Sequence, residues 1–142
     1  NANDRRAKAE RLGLTIPEVI TLASIVEEET NYQPEKSRVA GLYLNRLRKG
    51  IRLQSDPTVK FALKDFALNR ILFEHLKVDD PYNTYKYAGL PPGPIRLPSV
   101  ATIDAVLNAE KHNYIYMCAH PDFNGTHNFA VTLAEHNRNA AK

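Results

Sequence analysis

The stretch Leu22-Ala23-Ser24-Ile25-Val26-Glu27-Glu28-Glu29-Thr30 decides the fold of this chain. It follows Thr15-Ile16-Pro17-Glu18, in which a threonine stands three residues before a glutamate and a proline occupies the first turn. This pattern is a capping box, which starts a helix. From Val19 onward the apolar residues recur at the three- and four-residue spacing of one helix face. The sequence therefore predicts a helix with one buried face that carries three acids at its end.

The three acids differ in their position around this helix. A run of charge is usually a solvated surface. At about 100° per residue, however, Glu28 falls opposite the apolar stripe, whereas Glu27 and Glu29 fall on its two borders. A carboxyl on such a border, facing a cleft, is partly desolvated, and its pKa rises toward the value that a general acid needs. The periodicity argues against Glu28 and leaves Glu27 and Glu29 open.

The remaining elements predict a mostly helical domain with a small sheet. Start and stop signals predict further helices over 4–12, from near Pro34 to Gly50, from Pro57 to Leu63, and from the capping box Thr132–Glu135 onward. Ser99 is expected to cap another helix, which carries Ile103, Val106 and Leu107. The strand-like runs 114–119 and 127–131 flank a turn at 121–125 and predict a β-hairpin. Residues 64–80 show no clear pattern, and the proline-rich stretch 81–98 is expected to be an ordered loop. The predicted fold class is α+β.

Composition narrows the functional classes. The chain has 142 residues, 43% of them hydrophobic and 25% charged, which is enough for one domain with its own core. The net charge of +3 comes without aromatic residues among the basic clusters, so no nucleic-acid partner is expected. No apolar run is long enough to span a membrane, and no signal peptide is visible in the polar first residues, which read as the start of a fragment and leave room for an upstream anchor or export signal. The five histidines and one cysteine form no metal-binding motif, so no metal or cofactor is predicted.

The segment Leu53-Gln54-Ser55-Asp56-Pro57-Thr58 is a first candidate for binding a sugar. If it is extended, Gln54 and Asp56 project to the same side and offer an amide and a carboxylate to sugar hydroxyls. The alternative is that Asp56 caps the helix beginning at Pro57. Both interpretations stay open, and they are compatible.

A second candidate is Tyr82-Asn83-Thr84-Tyr85, followed by the proline-rich run Gly89–Ile95. Aromatic rings beside amide and hydroxyl groups suit stacking on sugar rings and hydrogen bonding to them. The stiff proline run would hold these side chains in place. A purely structural loop is the alternative, which the length and low charge of this segment make less attractive.

Many short blocks of the sequence resemble, in the same order, those of the MltG-type (YceG-like) endolytic murein transglycosylases. The resemblance begins in the helix motif Leu22–Thr30 and extends over about residues 20–138. The further blocks are Val39-Ala40-Gly41, Leu44-Asn45-Arg46-Leu47, Arg52–Thr58, Tyr82–Tyr85, Gly89–Ile95, Tyr114-Ile115-Tyr116, His127-Asn128-Phe129 and Leu133–Asn137. Each block is weak alone, but so many in sequence order are hard to obtain by chance.

The resemblance implies a lysozyme-like catalytic domain over residues 1–142 and chooses among the acids. In the family, the catalytic glutamate is the last acid of the helix motif, which is Glu29 in this sequence. The residues then expected to bind the substrate are Gln54, Ser55, Asp56, Asn83, Thr84 and Tyr85. Those expected to support the site are Glu27, Asn45 and His127. The resemblance implies no cofactor and no metal.

The resemblance further implies that the substrate is a glycan strand of peptidoglycan. The strand is cut between N-acetylmuramic acid and N-acetylglucosamine, and a 1,6-anhydro end forms. The enzyme is then extracytoplasmic, on the periplasmic face of the inner membrane; an N-terminal anchor and a LysM-like domain are expected outside these residues. Peptidoglycan synthases are the expected protein partners. Two rivals stay open: a lysozyme-like hydrolase with Asp56 as second carboxylate, and a non-catalytic glycan-binding module.

Overall fold

The computed structural model describes residues 2–64, 73–119 and 127–140. Its helices are α1 (Ala2–Leu12), α2 (Ile16–Glu29), α3 (Lys36–Lys49), α4 (Asp56–Leu63), α5 (Val100–Leu107) and α6 (Leu133–Ala140), with short 3-10 helices at Gln33–Glu35 and Phe73–Lys77. The strands β1 (Tyr116–Ala119) and β2 (His127–Ala130) form an antiparallel pair. The predicted α+β class is confirmed. In the described parts of the chain, no helix is both long and apolar enough to cross a membrane.

Helix α2 begins at the predicted capping box. The Thr15 hydroxyl accepts a hydrogen bond from the Glu18 N–H at 3.3 Å, and the Glu18 carboxylate accepts one from the Thr15 N–H at 2.9 Å. Its apolar face is completely covered, since Val19, Leu22, Ile25 and Val26 are all buried. Burial of each such side chain stabilises the fold by about 1.5–3 kcal/mol. Helices α3 and α5 provide much of the cover, so α2 lies at the centre of the core.

The predicted start of α3 near Pro34 needs a small correction. Pro34 lies in the 3-10 helix Gln33–Glu35, and α-helical geometry begins only at Lys36. The tighter turn places Glu35 at the junction, where its side chain is buried. The end of the helix is as predicted, because Gly50 takes the left-handed conformation with φ of 71° and its N–H bonds to the last turn.

A glycine on α3 permits a close approach between this helix and the chain at 110–112. A Cβ atom built on Gly41 would overlap the Glu110 carbonyl oxygen and lie 2.8 Å from His112 Nε2. The segment is held there because the Glu110 N–H donates to the Ser37 carbonyl at 3.0 Å. Only a residue without a side chain fits this contact.

Substituting Gly41 by alanine is therefore expected to lower the free energy of unfolding by about 2 kcal/mol, the usual cost of overpacking. The sign of this change identifies its cause, because replacing glycine by alanine in an unobstructed helix raises the free energy of unfolding by about 1 kcal/mol. Chemical denaturation measures the effect. Gly50→Ala, with nothing within 4 Å of the added atom, is the control for backbone strain alone. A more stable Gly41→Ala variant would show that the segment at 110–112 moves away freely.

The C-terminal part follows the prediction with two differences. The strands are shorter than predicted and pair with Tyr116 opposite Ala130 and Ala119 opposite His127; the turn predicted at 121–125 lies outside the described residues. At the start of α6, the Thr132 hydroxyl accepts from the Glu135 N–H, as a capping box requires. The return bond differs, because the Glu135 carboxylate accepts from the Val131 N–H.

The predicted ordered loop at 81–98 is confirmed, and it is fixed to the helical core. The Ile95 N–H donates to the Ser24 hydroxyl on α2 at 3.0 Å, and both residues are buried. The Tyr82 ring contacts the Phe61 ring on α4, with 4.6 Å between centroids. These contacts hold the polar side chains of the loop against α2 and α4.

The sequence showed no clear pattern over residues 64–80, and residues 65–72 lie outside the described residues.

Candidate active site

A polar cavity of about 370 Å³ opens where the end of α2 meets α3, the segment before α4, β1 and α6. Its polar and aromatic lining comprises Glu29, Tyr43, Arg46, Gln54, Asp56, Tyr85, Tyr116 and His136. Two acids, an amide, an arginine and several aromatic rings are thus brought together from six regions of the chain. This mixture suits a ligand with many hydroxyl groups and some apolar surface.

Glu29 ends α2 at this cavity, and its side chain is half-buried. Burial raises the pKa of Glu29, opposed by a positive charge on His127 and by hydrogen bonds from the Tyr43 and Ser55 hydroxyls. The negative charge of Asp56 raises the pKa further. The Ser55 Oγ lies 3.5 Å from the carboxylate. With its pKa raised, Glu29 retains a proton at pH values where an exposed glutamate is ionised, which is what a general acid requires.

Asp56 and Tyr85 form a second polar group at the cavity. The Tyr85 hydroxyl donates to Asp56 Oδ1 at 2.5 Å. Burial and the Asp56 carboxylate raise the pKa of Tyr85, so the phenol stays protonated. The interpretation of Asp56 as a helix cap is wrong, since Ser55 occupies the cap position and Asp56 is the first helical residue. Its carboxylate lines the cavity instead.

Gln54 also lines the cavity, though its backbone is not extended as the sequence suggested. Its φ is 52°, in the left-handed region, which is uncommon for a residue with a side chain and costs on the order of 1 kcal/mol. The Gln54 N–H donates to the Thr84 carbonyl at 3.2 Å, which ties this turn to the 81–98 loop. The turn leaves the Gln54 side chain exposed at the cavity edge.

The other predicted binding residues, Ser55, Asn83 and Thr84, are buried. The Thr84 hydroxyl accepts from the Ser55 N–H at 2.8 Å and lies 2.8 Å from the Thr58 hydroxyl. The Asn83 amide donates to the Leu76 and Val78 carbonyls at 2.9 and 2.8 Å. Asn83 and Thr84 do not line the cavity, and these contacts hold the loop that carries Tyr85.

Of the residues predicted to support the site, Glu27 and Asn45 lie away from the cavity. Glu27 forms an ion pair with Lys36 at 2.5 Å and accepts from the Ser99 N–H and the Thr102 hydroxyl. The Asn45 amide donates to the carbonyls of His112 and Tyr114, both at 2.9 Å. Both side chains therefore join distant segments of the fold.

His127, the third supporting residue, is linked to the site through a carboxylate that sequence reasoning missed. The Glu35 side chain is buried and accepts from the His127 N–H at 2.6 Å and from its ring Nδ1 at 2.8 Å. It also accepts from the hydroxyl of Thr30, the residue after Glu29, at 3.0 Å. The two elements that carry Glu29 and His127 are thus joined at one carboxylate.

Four cavity residues also escaped the sequence reasoning. On α3, Tyr43 and Arg46 lie one turn apart and are both buried, and an arginine on a buried helix face is a signal that could have been noticed. Arg46 donates to the Ile115 and Arg52 carbonyls, and its guanidinium lies 5.4 Å from the centre of the Tyr116 ring. Tyr116 in turn stacks on His136 at 5.2 Å. The last two residues fall in blocks of the family resemblance, but only the tertiary structure brings them together at the cavity.

Together, the fold and the cavity define a mostly helical α+β domain with a protonatable carboxyl at a polar cleft. The chain belongs to the YceG-like family, whose sequence model matches residues 1–142. It is 38% identical over 125 residues to the endolytic murein transglycosylase of Bacillus subtilis strain 168 and 34% identical over 133 residues to that of Streptococcus pneumoniae serotype 2 strain D39. These matches cover 88% and 91% of this chain but 34% and 24% of those proteins, so it spans about a quarter to a third of their length.

A solved structure agrees with the fold. The crystal structure of a putative YceG-like protein from Listeria monocytogenes, determined at 2.6 Å, superposes with a TM-score of 0.87. The two chains are 37% identical, and the match covers 97% of this chain and 44% of that one. The architecture described above is therefore that of the family.

Proposed function

We propose that residues 1–142 are the catalytic domain of an endolytic lytic transglycosylase that cuts peptidoglycan glycan strands. The observation that carries this proposal is the position of Glu29, a carboxyl of raised pKa that lines a polar and aromatic cavity. The names of the Bacillus subtilis and Streptococcus pneumoniae relatives support the same reaction.

In the first step, Glu29 donates its proton to the glycosidic oxygen between N-acetylmuramic acid and N-acetylglucosamine. The bond from C1 to that oxygen breaks, and positive charge develops at C1 in an oxocarbenium-like transition state. The leaving N-acetylglucosamine keeps the proton as a free hydroxyl. The raised pKa of Glu29 supports this role because it keeps the acid protonated before the step.

In the second step, the ionised Glu29 removes the proton from the C6 hydroxyl of the same muramic acid. The C6 oxygen then bonds to C1 and closes a 1,6-anhydro ring, so no water is consumed. One carboxyl thus acts first as acid and then as base, and no second carboxylate is needed as a nucleophile. The hydrogen bonds from Tyr43 and Ser55 stabilise the ionised form between the two steps.

The strand is bound along the cavity by Gln54, Asp56 and Tyr85, whose polar atoms line it. The stacked Tyr116 and His136 rings supply a face for the apolar side of a sugar ring. The buried residues Ser55, Asn83 and Thr84 act indirectly, because their hydrogen bonds fix the segments that carry Gln54 and Tyr85.

Peptidoglycan lies outside the cytoplasm, so the enzyme that we propose acts there. We propose that the whole protein is held on the outer face of the inner membrane by an anchor outside residues 1–142. At that place it meets newly made strands, and peptidoglycan synthases are the partners that we expect.

Product analysis tests the proposed reaction. Purified peptidoglycan is digested with the 142-residue chain, and the released muropeptides are identified by mass spectrometry. We expect 1,6-anhydromuramic acid ends, which lack one water relative to reducing ends. Reducing ends would make the protein a hydrolase in which Asp56, which also lines the cavity, is the second carboxylate. Strand binding without any released product would indicate a glycan-binding module.

A further inference from the structure

The buried carboxylate of Glu35 is not part of the cavity lining, yet it contacts both His127 and the residue that follows Glu29. Its Oε2 accepts from the Thr30 hydroxyl at 3.0 Å and from His127 Nδ1 at 2.8 Å, while its Oε1 accepts from the His127 N–H at 2.6 Å. Because Thr30 directly follows Glu29, these bonds fix the start of β2 against the end of α2. The side chain of Glu35 is only 6% exposed.

The contacts of Glu35 also determine which ring nitrogen of His127 carries a proton. An ionised carboxylate only accepts hydrogen bonds, so Nδ1 must be the donor. In the neutral ring, Nε2 is then unprotonated. Among the described residues, no hydrogen bond to Nε2 is found. One edge of the ring is thus held by Glu35.

A charged His127 ring also acts electrostatically on the carboxyl of Glu29. Among the influences that lower the pKa of Glu29, a positive charge on His127 is the largest, ahead of the hydrogen bonds from Tyr43 and Ser55. A group with this effect stabilises the carboxylate that remains once a proton has left. The closeness that this requires agrees with the shared hydrogen-bond partner of Thr30 and His127.

We propose that Glu35 is a positioning residue that acts through His127, fixing the place and the tautomer of its ring beside Glu29. With its Nδ1 proton held by Glu35, the His127 ring takes up a second proton from solvent at Nε2, and in that charged form it stabilises the Glu29 carboxylate formed when the proton is transferred to the glycosidic oxygen. The inference rests on the acid role of Glu29 proposed above. In many enzymes a carboxylate accepts a hydrogen bond from a histidine and so orients its ring. Glu35 acts on His127 in the same way, except that this histidine assists an acid.

A double-mutant cycle tests whether Glu35 acts through His127. The variants are Glu35→Gln, His127→Asn and the two combined, assayed on soluble uncross-linked glycan strands. Each single change is expected to lower kcat about tenfold with KM within about twofold, and the double variant is expected to be no slower than His127→Asn. The proposal would be overturned if the two single losses in kcat multiplied in the double variant, or if the variants changed KM alone. Glu110→Gln, an exposed carboxylate that pairs with Arg38, is the matched control and should leave kcat unchanged.

A measurement independent of activity separates this inference from the proposed function. The ¹⁵N shifts of the His127 ring in the wild-type chain are expected to show Nδ1 protonated in the neutral form, and Glu35→Gln should shift the ring toward the Nε2-protonated form. A wild-type ring protonated at Nε2 would disprove the positioning role, even if Glu35→Gln fails to fold. If the wild type forms no anhydro ends, the proposed reaction fails, while the tautomer still decides the role of Glu35.

Discussion

Replacing Glu29 by glutamine is expected to lower the rate at which anhydro ends form by about a thousandfold, within the range that a general acid contributes. Glutamine keeps the size of the side chain and its hydrogen-bonding capacity, but it has no acidic proton to transfer and cannot act as a base. Both proposed steps are therefore lost together. The measurement is the initial rate of product release from soluble strands, followed by mass spectrometry. Strand binding should persist, because the other cavity residues are unchanged.

The Glu29→Gln variant is also expected to be at least as stable as the wild type at pH 7. Burial raises the pKa of Glu29 in the folded state, so its stabilising effect is lost as the pH rises above the ordinary pKa of the unfolded chain. The glutamine side chain does not ionise, so the variant does not lose stability in this way as the pH rises. Thermal unfolding checks this, and it separates a catalytic defect from misfolding. Near-normal activity in a folded variant would contradict the role of Glu29.

Asp56→Asn is the matched comparison at the same cavity. In a lytic transglycosylase that uses Glu29 alone, this change weakens a hydrogen bond to Tyr85 and is expected to lower the rate by about tenfold, much less than the loss at Glu29. In a hydrolase with two carboxylates, both variants would lose activity to a similar degree. The ratio of the two rates therefore distinguishes the two mechanisms without reference to the products.

The helices could be predicted from the sequence because their signals are local. The capping box at Thr15, the left-handed glycine at position 50 and the apolar spacing of α2 each act within a few residues. The same spacing reduced three acids to two, and the family resemblance chose Glu29. In the structure, Glu29 lies at the cavity and Glu27 in an ion pair with Lys36, a difference that periodicity could not have supplied.

The contacts that the sequence did not reveal are those made across long separations. Glu35 and His127 are 92 positions apart, and Tyr116 and His136 come from a strand and a helix that join only in the folded domain. The turn at Gln54 could not be predicted from the sequence for another reason. Its left-handed backbone is not favoured by its own residue type and is held by a hydrogen bond to the Thr84 carbonyl.

Glu27 is expected to make the domain sensitive to acid. Burial alone would raise the pKa of Glu27, but the hydrogen bonds from Lys36, Ser99 and Thr102 outweigh it and lower the pKa to about 2. A carboxylate with a lowered pKa stabilises the fold fully above its unfolded value of 4.5, and this contribution is lost as the pH falls toward 2. This lowering of the pKa corresponds to about 3 kcal/mol of stability. Solvent screening removes little of it, because the Glu27 side chain is only 14% exposed.

The measurement that isolates this contribution is the stability difference between wild type and Glu27→Gln as a function of pH. At pH 7 the variant is expected to be less stable by about 3 kcal/mol, because Lys36 stays buried without its anion. The difference should shrink steadily between pH 5 and pH 2, where the wild-type carboxylate takes up its proton. Glu110→Gln, whose ion pair with Arg38 is well exposed, should change stability by only a few tenths of a kcal/mol. A difference that stays constant with pH would mean that Glu27 contributes by packing and that its charge does not matter.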